Sequence, residues 1–239
     1  MKIIERDYLK DLISIIGTPD IKVITGVRRG GKSKLLEQFK EYIEKNIENY
    51  NVIYINFSLL EFEKLNEYHK LNDYIESKYI QNKNNFVLID EVQMCSGFER
   101  TINSLHASEK YDIYVTGSNA FLLSSDLATL FTGRTFEIEV FPFSFEEYLK
   151  YYQYKDIDLA FDEFVLDGGM SGSYLYENEE KRYNYILDVY KTLIVRDINE
   201  KYNIKNNELL DNLTNFMMDN ISNITSVRNI TNSLNKFDN

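Results

Sequence analysis

Several residue types and patterns are scarce in this 239-residue chain, and each absence excludes a class of protein. A single cysteine, Cys95, cannot form an internal disulfide, and with only two histidines the Cys–His spacing of a zinc site is absent as well. A reducing, cytosolic setting is therefore expected. No apolar run reaches the roughly 18 residues of a membrane-spanning helix. Charges interrupt the apolar N-terminal stretch, which argues against a secretory signal and favours a first amphipathic helix.

Positive charge is also scarce, because the chain carries a net charge of −11. This balance argues against a surface that is generally coated with nucleic acid. The charge is uneven: residues 181–239 hold eight Lys/Arg and seven Asp/Glu, a charge of +1, so the remainder carries −12. An anionic partner would be least repelled by the C-terminal part.

What the sequence does contain is an alternation of β-rich runs and helical patterns. Strands are predicted over 21–26, 52–57, 86–90, 111–117 and 135–141. Between them, helices are predicted over 33–46, 67–81, 98–108 and 118–131. The first four strands are near-continuous apolar runs, typical of parallel strands buried on both faces. The fifth alternates, as an edge strand does. The pattern predicts an α/β fold with a parallel, doubly wound sheet and helices on both faces.

After Phe143 the strand patterns end and helical patterns continue. Helices are predicted over 144–154, 158–166, 179–199, 206–219 and 224–235. We place a domain boundary between residues 142 and 170, with a hinge or loop at 167–173. The prediction is a core over residues 1–155 and a helical region over residues 156–239.

The strongest motif is a phosphate-binding loop between the first strand and the following helix. The sequence from 26 to 33, GVRRGGKS, matches G-x-x-x-x-G-K-[ST]. Its glycines let backbone N–H groups turn toward phosphate oxygens at a helix N-terminus. Lys32 would reach the β- and γ-phosphates, and the Ser33 hydroxyl would bind Mg²⁺. The nucleotide-binding residues are predicted to be Gly26, Val27, Arg28, Arg29, Gly30, Gly31, Lys32, Ser33 and Lys34. The alternative is a tight turn without a ligand, and Arg28 and Arg29 could equally project into solvent.

A second motif, Phe86 to Glu91, ends the third strand in two acids. Ligands of such sheets bind at this carboxyl edge. Asp90 would hold Mg²⁺ through water, and Glu91 could orient and polarise a water molecule for attack on the γ-phosphate. An acid pair at a strand end is weak evidence alone, but it is specific together with the phosphate loop.

Three further residues are candidates with open alternatives. In a sheet of order 5-1-4-3-2, the fourth strand lies between the two motif strands, so Ser118 or Asn119 would point at the γ-phosphate. Both residues are also ordinary helix N-caps. Arg134 precedes the fifth strand and could stabilise charge on the transferring phosphoryl group, in its own chain or in a neighbouring one. Its alternative is a surface arginine.

These motifs together resemble a family of prokaryotic AAA-type P-loop ATPases. GVRRGGKS, VLIDEVQ, YVTGSNAFLLSSDLATLFTGR and EVFPFSFEEYLKYY occur in the family's order and spacing, and the similarity covers nearly the whole chain. The resemblance implies ATP binding and hydrolysis, with a winged-helix-like segment after the core that is partial here and a C-terminal domain that is missing here. Lys34 departs from the family, which usually has a small hydroxyl residue at that position.

Two functions from different classes follow. The first is a Mg²⁺-dependent ATPase whose cycle drives a conformational switch, as a homo-oligomer or on a protein or DNA target bound through the helical region. The second is a nucleotide-dependent DNA-binding or scaffold module with little hydrolysis. Glu91 favours the ATPase, whereas the partial winged helix favours the DNA-binding or scaffold module. A small-molecule kinase is disfavoured, because such kinases usually lack a Glu beside the strand-end Asp and no Arg-rich lid is visible.

Overall fold

The computed structural model describes residues 4–117, 131, 133–193, 198, 202, 204 and 206–234. Five parallel strands form one sheet in the order β2-β3-β4-β1-β5. They are β1 Ile21–Thr25, β2 Tyr50–Asn56, β3 Asn84–Asp90, β4 Tyr111–Thr116 and β5 Thr135–Glu139. Each predicted strand is therefore present, and the predicted order 5-1-4-3-2 is confirmed.

The described helices follow the predicted pattern with shifts at their ends. They are α1 Tyr8–Ser14, α2 Lys32–Asn46, α3 Tyr68–Ser77, α4 Phe98–Ala107, α5 Phe145–Tyr152, α6 Ile157–Asp167, α7 Glu179–Thr192, α8 Asn207–Asp219 and α9 Val227–Leu234. Three short 3-10 helices, at Leu60–Leu65, Val92–Met94 and Ser173–Leu175, were not predicted. The helix predicted over 118–131 lies outside the described residues except for Phe131. Most of residues 193–199, at the end of the helix predicted over 179–199, also lie outside the described residues.

Two hydrophobic layers sandwich the sheet. Leu35, Leu36 and Phe39 of α2 pack with α1 against one face. Leu71 of α3 and Ile102 of α4 pack against the other face. Alternate residues of the strands feed the two layers, which is the expected geometry of a sheet buried on both sides.

The predicted strand order already places β2 at an edge of the sheet, although its apolar run is typical of a strand buried on both faces. In the structure β2 pairs only with β3 and is half-exposed along most of its length. It is therefore the edge strand opposite β5. The apolar run of β2 does not reveal this, because the order of strands in the sheet, and not local hydrophobicity, decides which strands have two neighbours.

The first helix after the sheet, α5, begins with a capping box. The Ser144 hydroxyl accepts from the Glu147 N–H, and the Glu147 carboxylate accepts from the Ser144 N–H. Further along, the Tyr148 hydroxyl donates to buried Asp167, which also binds Arg182 of α7 at 2.7 Å. These contacts connect α5, α6 and α7 to one another.

The chain divides into two compact units, Met1–Val189 and Tyr190–Asn239. The first contains the sheet with α5 and α6, and the second contains α8 and α9. The boundary at residues 155 and 156 stays a prediction. Within the described part of the chain, no helix is both long and apolar enough to cross a bilayer.

Candidate nucleotide-binding site

The loop between β1 and α2 is shaped by two glycines. Gly26 has a φ of +136°, and a Cβ there would collide with the carbonyl oxygen of Val140. Gly31, with a φ of +103°, stands immediately before α2. Both positions favour glycine, because other residues are strained at such angles. The first N–H groups of an α-helix have no acceptor within the helix, so the start of α2, directly after this loop, suits an anionic ligand.

Lys32 is the first residue of α2 and lies across this loop. Its Nζ donates to the carbonyl oxygens of Gly26 and Val27, at 2.7 and 3.0 Å. Only 4% of the residue is exposed. The ammonium group is thus held where the loop curves around it, a position from which it can contact phosphate oxygens.

Asp90 ends β3 at the same edge of the sheet. It is almost fully buried, and the Thr116 hydroxyl at the end of β4 donates to its Oδ1 at 2.5 Å. Burial raises the pKa of Asp90, and the charge of Glu91 adds to the rise; the hydroxyls of Thr116 and Ser33 and the charge of Lys32 oppose it. Ser33 of α2 and Asp90 of β3 are therefore close neighbours, as a shared metal site requires.

Glu91 follows Asp90 in the left-handed conformation, with a φ of 57°. Its N–H donates to the Thr116 hydroxyl at 3.0 Å. The same hydroxyl thus bonds to both acidic residues and fixes their relative position. The Glu91 carboxylate accepts a short hydrogen bond from the side-chain amide of Gln93.

The donor set at this edge fits a magnesium ion. Asp90 Oδ2 is buried, and no hydrogen-bond partner for it is found among the described residues. Such a buried acceptor is unfavourable unless a donor or cation reaches it. Carboxylate and hydroxyl oxygens are the ligands that Mg²⁺ prefers, so Asp90 and Ser33 are the residues that would hold it.

Arg6, which precedes α1, binds the main chain of the phosphate loop. Its guanidinium donates to the carbonyl oxygens of Gly30 at 3.0 Å and Phe141 at 2.8 Å, and it pairs with the Glu147 carboxylate of α5. Arg6 and Glu147 are each 4% exposed. A buried arginine with these partners ties the phosphate loop to the end of β5 and to α5, over separations of 24 to 141 residues.

A cavity of about 260 Å³ opens beside the loop. Lys32, Ser33 and Glu91 line it. The chain after the sheet also contributes lining residues, among them Phe143, Tyr151, Ser171, Gly172 and Tyr185. Exposed Arg29, at the tip of the loop, stacks its guanidinium over the Tyr185 ring at 4.9 Å. Phosphate-binding groups and aromatic rings therefore share one cavity.

The remaining predicted residues fall elsewhere. Ser118 and Asn119 lie outside the described residues. Arg134 is exposed and stands before β5, where its carbonyl accepts from Ile21 at the start of β1. The phosphate loop follows the other end of β1, about 17 Å away at 3.3 Å per residue. Arg134 therefore lies at the amino ends of the strands, whereas Lys32 of its own chain lies at their carboxyl ends.

Arg28 is half-buried in the loop, whereas Lys34 is exposed on α2 and pairs with Glu37 at 2.5 Å. Lys34 still borders the cavity.

Comparison with known proteins agrees with this geometry. Residues 18–149, more than half of the chain, match the family model described as an AAA domain. The chain belongs to this AAA domain family. Residues 158–238 match a second model, described as a domain of unknown function (DUF8612). The family and the fold support a nucleotide-binding, ATPase-type function.

The chain is also similar to longer proteins. An uncharacterized protein from Haemophilus influenzae is 33% identical over 96% of this chain and 58% of its own length. Another, from Methanocaldococcus jannaschii, is 31% identical over 99% of this chain and 54% of its own length. The chain thus spans little more than half of these relatives.

Among solved structures, AMPPCP-bound DnaA from Aquifex aeolicus is 18% identical, with a TM-score of 0.45 over 95% of this chain and 74% of that one. The Aeropyrum pernix ORC1 protein in complex with DNA is 10% identical, with a TM-score of 0.46 over 100% of this chain and 84% of that one. Similarity at this level says nothing about function.

Among the residues of the site that the sequence patterns did not identify are Arg6, Gln93, Thr116 and Tyr185. Thr116 and Gln93 could have been found from the sequence, since each lies beside a recognised motif. Arg6 and Tyr185 had none, because their partners are distant in sequence and only the fold brings them to the loop.

Proposed function

We propose that this chain is a Mg²⁺-dependent ATPase. The observation that carries the proposal is that Lys32, Ser33 and Glu91 border one cavity at the carboxyl edge of a parallel sheet. A phosphate-binding loop alone would serve any nucleotide-binding protein. The additional carboxylate at the cavity wall supplies a group that can accept a proton from water.

The two groups of residues that line the cavity suggest how ATP lies. The triphosphate would lie in the loop, with its β- and γ-phosphates on Lys32 and on the N–H groups at the start of α2. The base would lie among the aromatic side chains of Phe143, Tyr151 and Tyr185, where a flat ring can stack. Arg29 at the loop tip would lie between these two parts.

The proposed reaction is hydrolysis of the terminal phosphoanhydride bond. The oxygen of a water molecule forms a bond to the γ-phosphorus while the bond from that phosphorus to the β–γ bridging oxygen breaks. The bridging oxygen keeps the electron pair and leaves as part of ADP, and the Glu91 carboxylate accepts the proton of the attacking water. Lys32 stabilises negative charge on the phosphate oxygens. When bound by Ser33 and Asp90, Mg²⁺ supplies further charge neutralisation.

The shared cavity also supports a conformational switch. Nucleotide in this cavity would contact both the phosphate loop and the chain after the sheet, at Ser171, Gly172 and Tyr185. A ligand shifts an equilibrium only through contacts that differ between two states. Loss of the γ-phosphate would change contacts on the loop side first, and the Arg29–Tyr185 stack connects that side to α7.

A homo-oligomer would complete the site. Arg134 is too far from the phosphate loop of its own chain to reach it, since an arginine side chain extends far less than the length of β1. We propose that it acts on nucleotide held by a neighbouring copy, in the way of an arginine finger. Ser118, which follows β4 in the sequence, is proposed as a further contact to the γ-phosphate.

Glu91→Gln tests the proposal. The substitution keeps size and hydrogen-bonding reach and removes the proton acceptor, so hydrolysis should fall by roughly 10²–10⁴-fold. ATP binding should persist, so unhydrolysed ATP should remain with the variant after gel filtration. Turnover of Glu91→Gln at the parent rate would contradict the role of Glu91. A parent that binds ATP but does not hydrolyse it would favour the nucleotide-dependent scaffold instead.

A further inference from the structure

Glu91 has a main chain that is well fixed and a side chain that depends on one neighbour. The left-handed conformation and the hydrogen bond from its N–H to Thr116 fix the position of the Glu91 main chain. They do not set the rotation of a flexible glutamate side chain. A group that must meet a water molecule in one orientation needs a further contact to hold it.

Gln93 supplies that contact. It lies two residues further on, in the 3-10 helix Val92–Met94, and its Nε2 donates to Glu91 Oε2. The orientation of the amide is determined by chemistry, because the opposite orientation would bring the Gln93 oxygen against a carboxylate oxygen and leave two acceptors facing each other. The hydrogen bond to a charged acceptor is of the stronger kind.

This orientation of the Gln93 amide leaves its oxygen atom without a hydrogen bond among the described residues. Gln93 Oε1 is buried, and no hydrogen-bond partner for it is found in the described part of the chain. A buried unpaired acceptor is unfavourable for folding. This cost offsets much of what the bond to Glu91 contributes to folding, so stability of the fold alone does not account for a glutamine here.

The bond could hold Glu91 toward the nucleotide or away from it. Glu91 borders the same cavity as Lys32 and Ser33 while it is bonded to Gln93. The contact therefore keeps the residue at the cavity wall. This arrangement fits orientation of the carboxylate for reaction and does not fit its withdrawal.

We propose that Gln93 is a positioning residue that orients the Glu91 carboxylate toward the attacking water. The proposal rests on the ATPase function proposed above. It predicts that Gln93 affects the rate of hydrolysis and leaves ATP affinity unchanged, because Gln93 acts through Glu91 and does not bind the nucleotide itself.

The test compares Gln93→Met with the parent. Methionine keeps the length of the side chain and removes both polar atoms, so the fold should not lose stability. Single-turnover hydrolysis of ATP labelled at the γ-phosphate should slow by roughly ten- to a hundredfold, the worth of a hydrogen bond to a charged group. ATP affinity measured by calorimetry should stay within about twofold. Gln81→Met, the same change at an exposed position outside the cavity lining, is the matched control.

A double-mutant cycle separates positioning from general damage. In a Glu91→Gln background there is no carboxylate to orient, so adding Gln93→Met should change the slow residual rate little. Damage to the fold would lower the rate in both backgrounds by the same factor. Equal losses in both backgrounds, or an unchanged or faster rate in the single variant, overturn the role of Gln93.

The two proposals can fail separately. If the parent hydrolyses ATP and Glu91→Gln stops it while Gln93→Met has no effect, only the inference about Gln93 is wrong. If the parent binds ATP without hydrolysing it, the ATPase proposal is wrong and the role of Gln93 fails with it.

Discussion

The two ends of the central sheet both bury charge, and they treat it differently. At the amino end, the Lys22 side chain is fully buried, and its Nζ donates to Thr18 O at 2.5 Å and pairs with Asp112 at 2.6 Å. The other oxygen of Asp112 accepts from the Gly17 N–H and the Tyr114 hydroxyl. At the carboxyl end, Asp90 Oδ2 and Gln93 Oε1 are buried without a partner in the described residues.

The difference distinguishes a structural ion pair from a binding site. The network at the amino end uses its donors and acceptors within the fold, so it can stabilise the protein without a ligand. The carboxyl end has acceptors that the fold leaves unused, next to a cavity lined by Lys32 and Ser33. Unused polar atoms beside a cavity are expected where a ligand completes the interactions. The comparison predicts that substitutions at the two ends have different consequences.

The largest effect on ATP turnover is expected for Arg134. This residue lies at the amino end of the sheet, but its proposed role is at the carboxyl end of a neighbouring copy. Arg134→Ala should lower ATP turnover by about 10³–10⁵-fold, the contribution of an arginine finger. Because Arg134 is exposed, the free energy of unfolding should change little. Steady-state phosphate release measures the first quantity and chemical denaturation the second.

Mixing experiments decide whether Arg134 acts between copies. Arg134→Ala protein mixed with Lys32→Ala protein should recover part of the activity, because each supplies what the other lacks. Turnover that is unaffected by Arg134→Ala, or mixtures without any recovery, would remove the trans role.

Two lysines give the sharpest contrast between the ends. Lys32→Ala should weaken ATP binding by roughly ten- to a hundredfold, because charge-assisted hydrogen bonds to phosphate are lost. Lys22→Met should leave ATP affinity within about twofold but lower the free energy of unfolding by up to about 3–5 kcal/mol, since it removes the buried ammonium partner of half-buried Asp112. Calorimetry of ATP binding and chemical denaturation, applied to both variants, test this contrast.

A second substitution checks the interpretation of Lys22. Replacing the pair with Lys22→Met and Asp112→Leu together should recover much of the lost stability, because no buried charge remains uncompensated. If Lys22→Met instead weakened ATP binding as strongly as Lys32→Ala, the two ends of the sheet would not be functionally separate.

The third prediction concerns the metal. Asp90→Asn keeps the shape of the side chain and removes its charge, so the Mg²⁺ concentration for half-maximal ATP hydrolysis should rise by roughly 10–100-fold. Chelation of Mg²⁺ should abolish turnover of the parent. An Asp90→Asn variant with the parent's Mg²⁺ dependence would show that Asp90 does not hold the ion.

The parts of this site that the sequence predicted are those encoded locally. The loop from Gly26 to Ser33 and the acids Asp90 and Glu91 sit next to strands whose apolar runs are unambiguous, and the order of the strands brings them to one edge. Backbone geometry within a few residues determines both features, so a short pattern suffices to find them.

The parts that the sequence did not reveal depend on distant contacts. Arg6 binds the loop across 24 residues and Glu147 across 141, and no pattern near Arg6 marks these partners. The apolar run of β2 gives no sign of its edge position, which follows from the strand order instead. The distance between Arg134 and Lys32 likewise follows from the parallel pairing of β1 and β5, and not from the residues around Arg134.

The smallest predicted effect tests whether the aromatic side of the cavity belongs to the binding site. Tyr185→Phe keeps the ring that lines the cavity and stacks on Arg29, so ATP affinity should stay within about twofold of the parent. Tyr185→Leu removes the ring and the cation–π contact, worth about 0.5–1 kcal/mol at such a site, and should weaken ATP binding by roughly two- to fivefold. Neither change should alter the free energy of unfolding as Lys22→Met does, because Tyr185 is only half-buried. Calorimetric titration with ATP distinguishes the two variants. Equal affinity of Tyr185→Phe and Tyr185→Leu would place the base elsewhere and limit the nucleotide site to the phosphate loop and its acids.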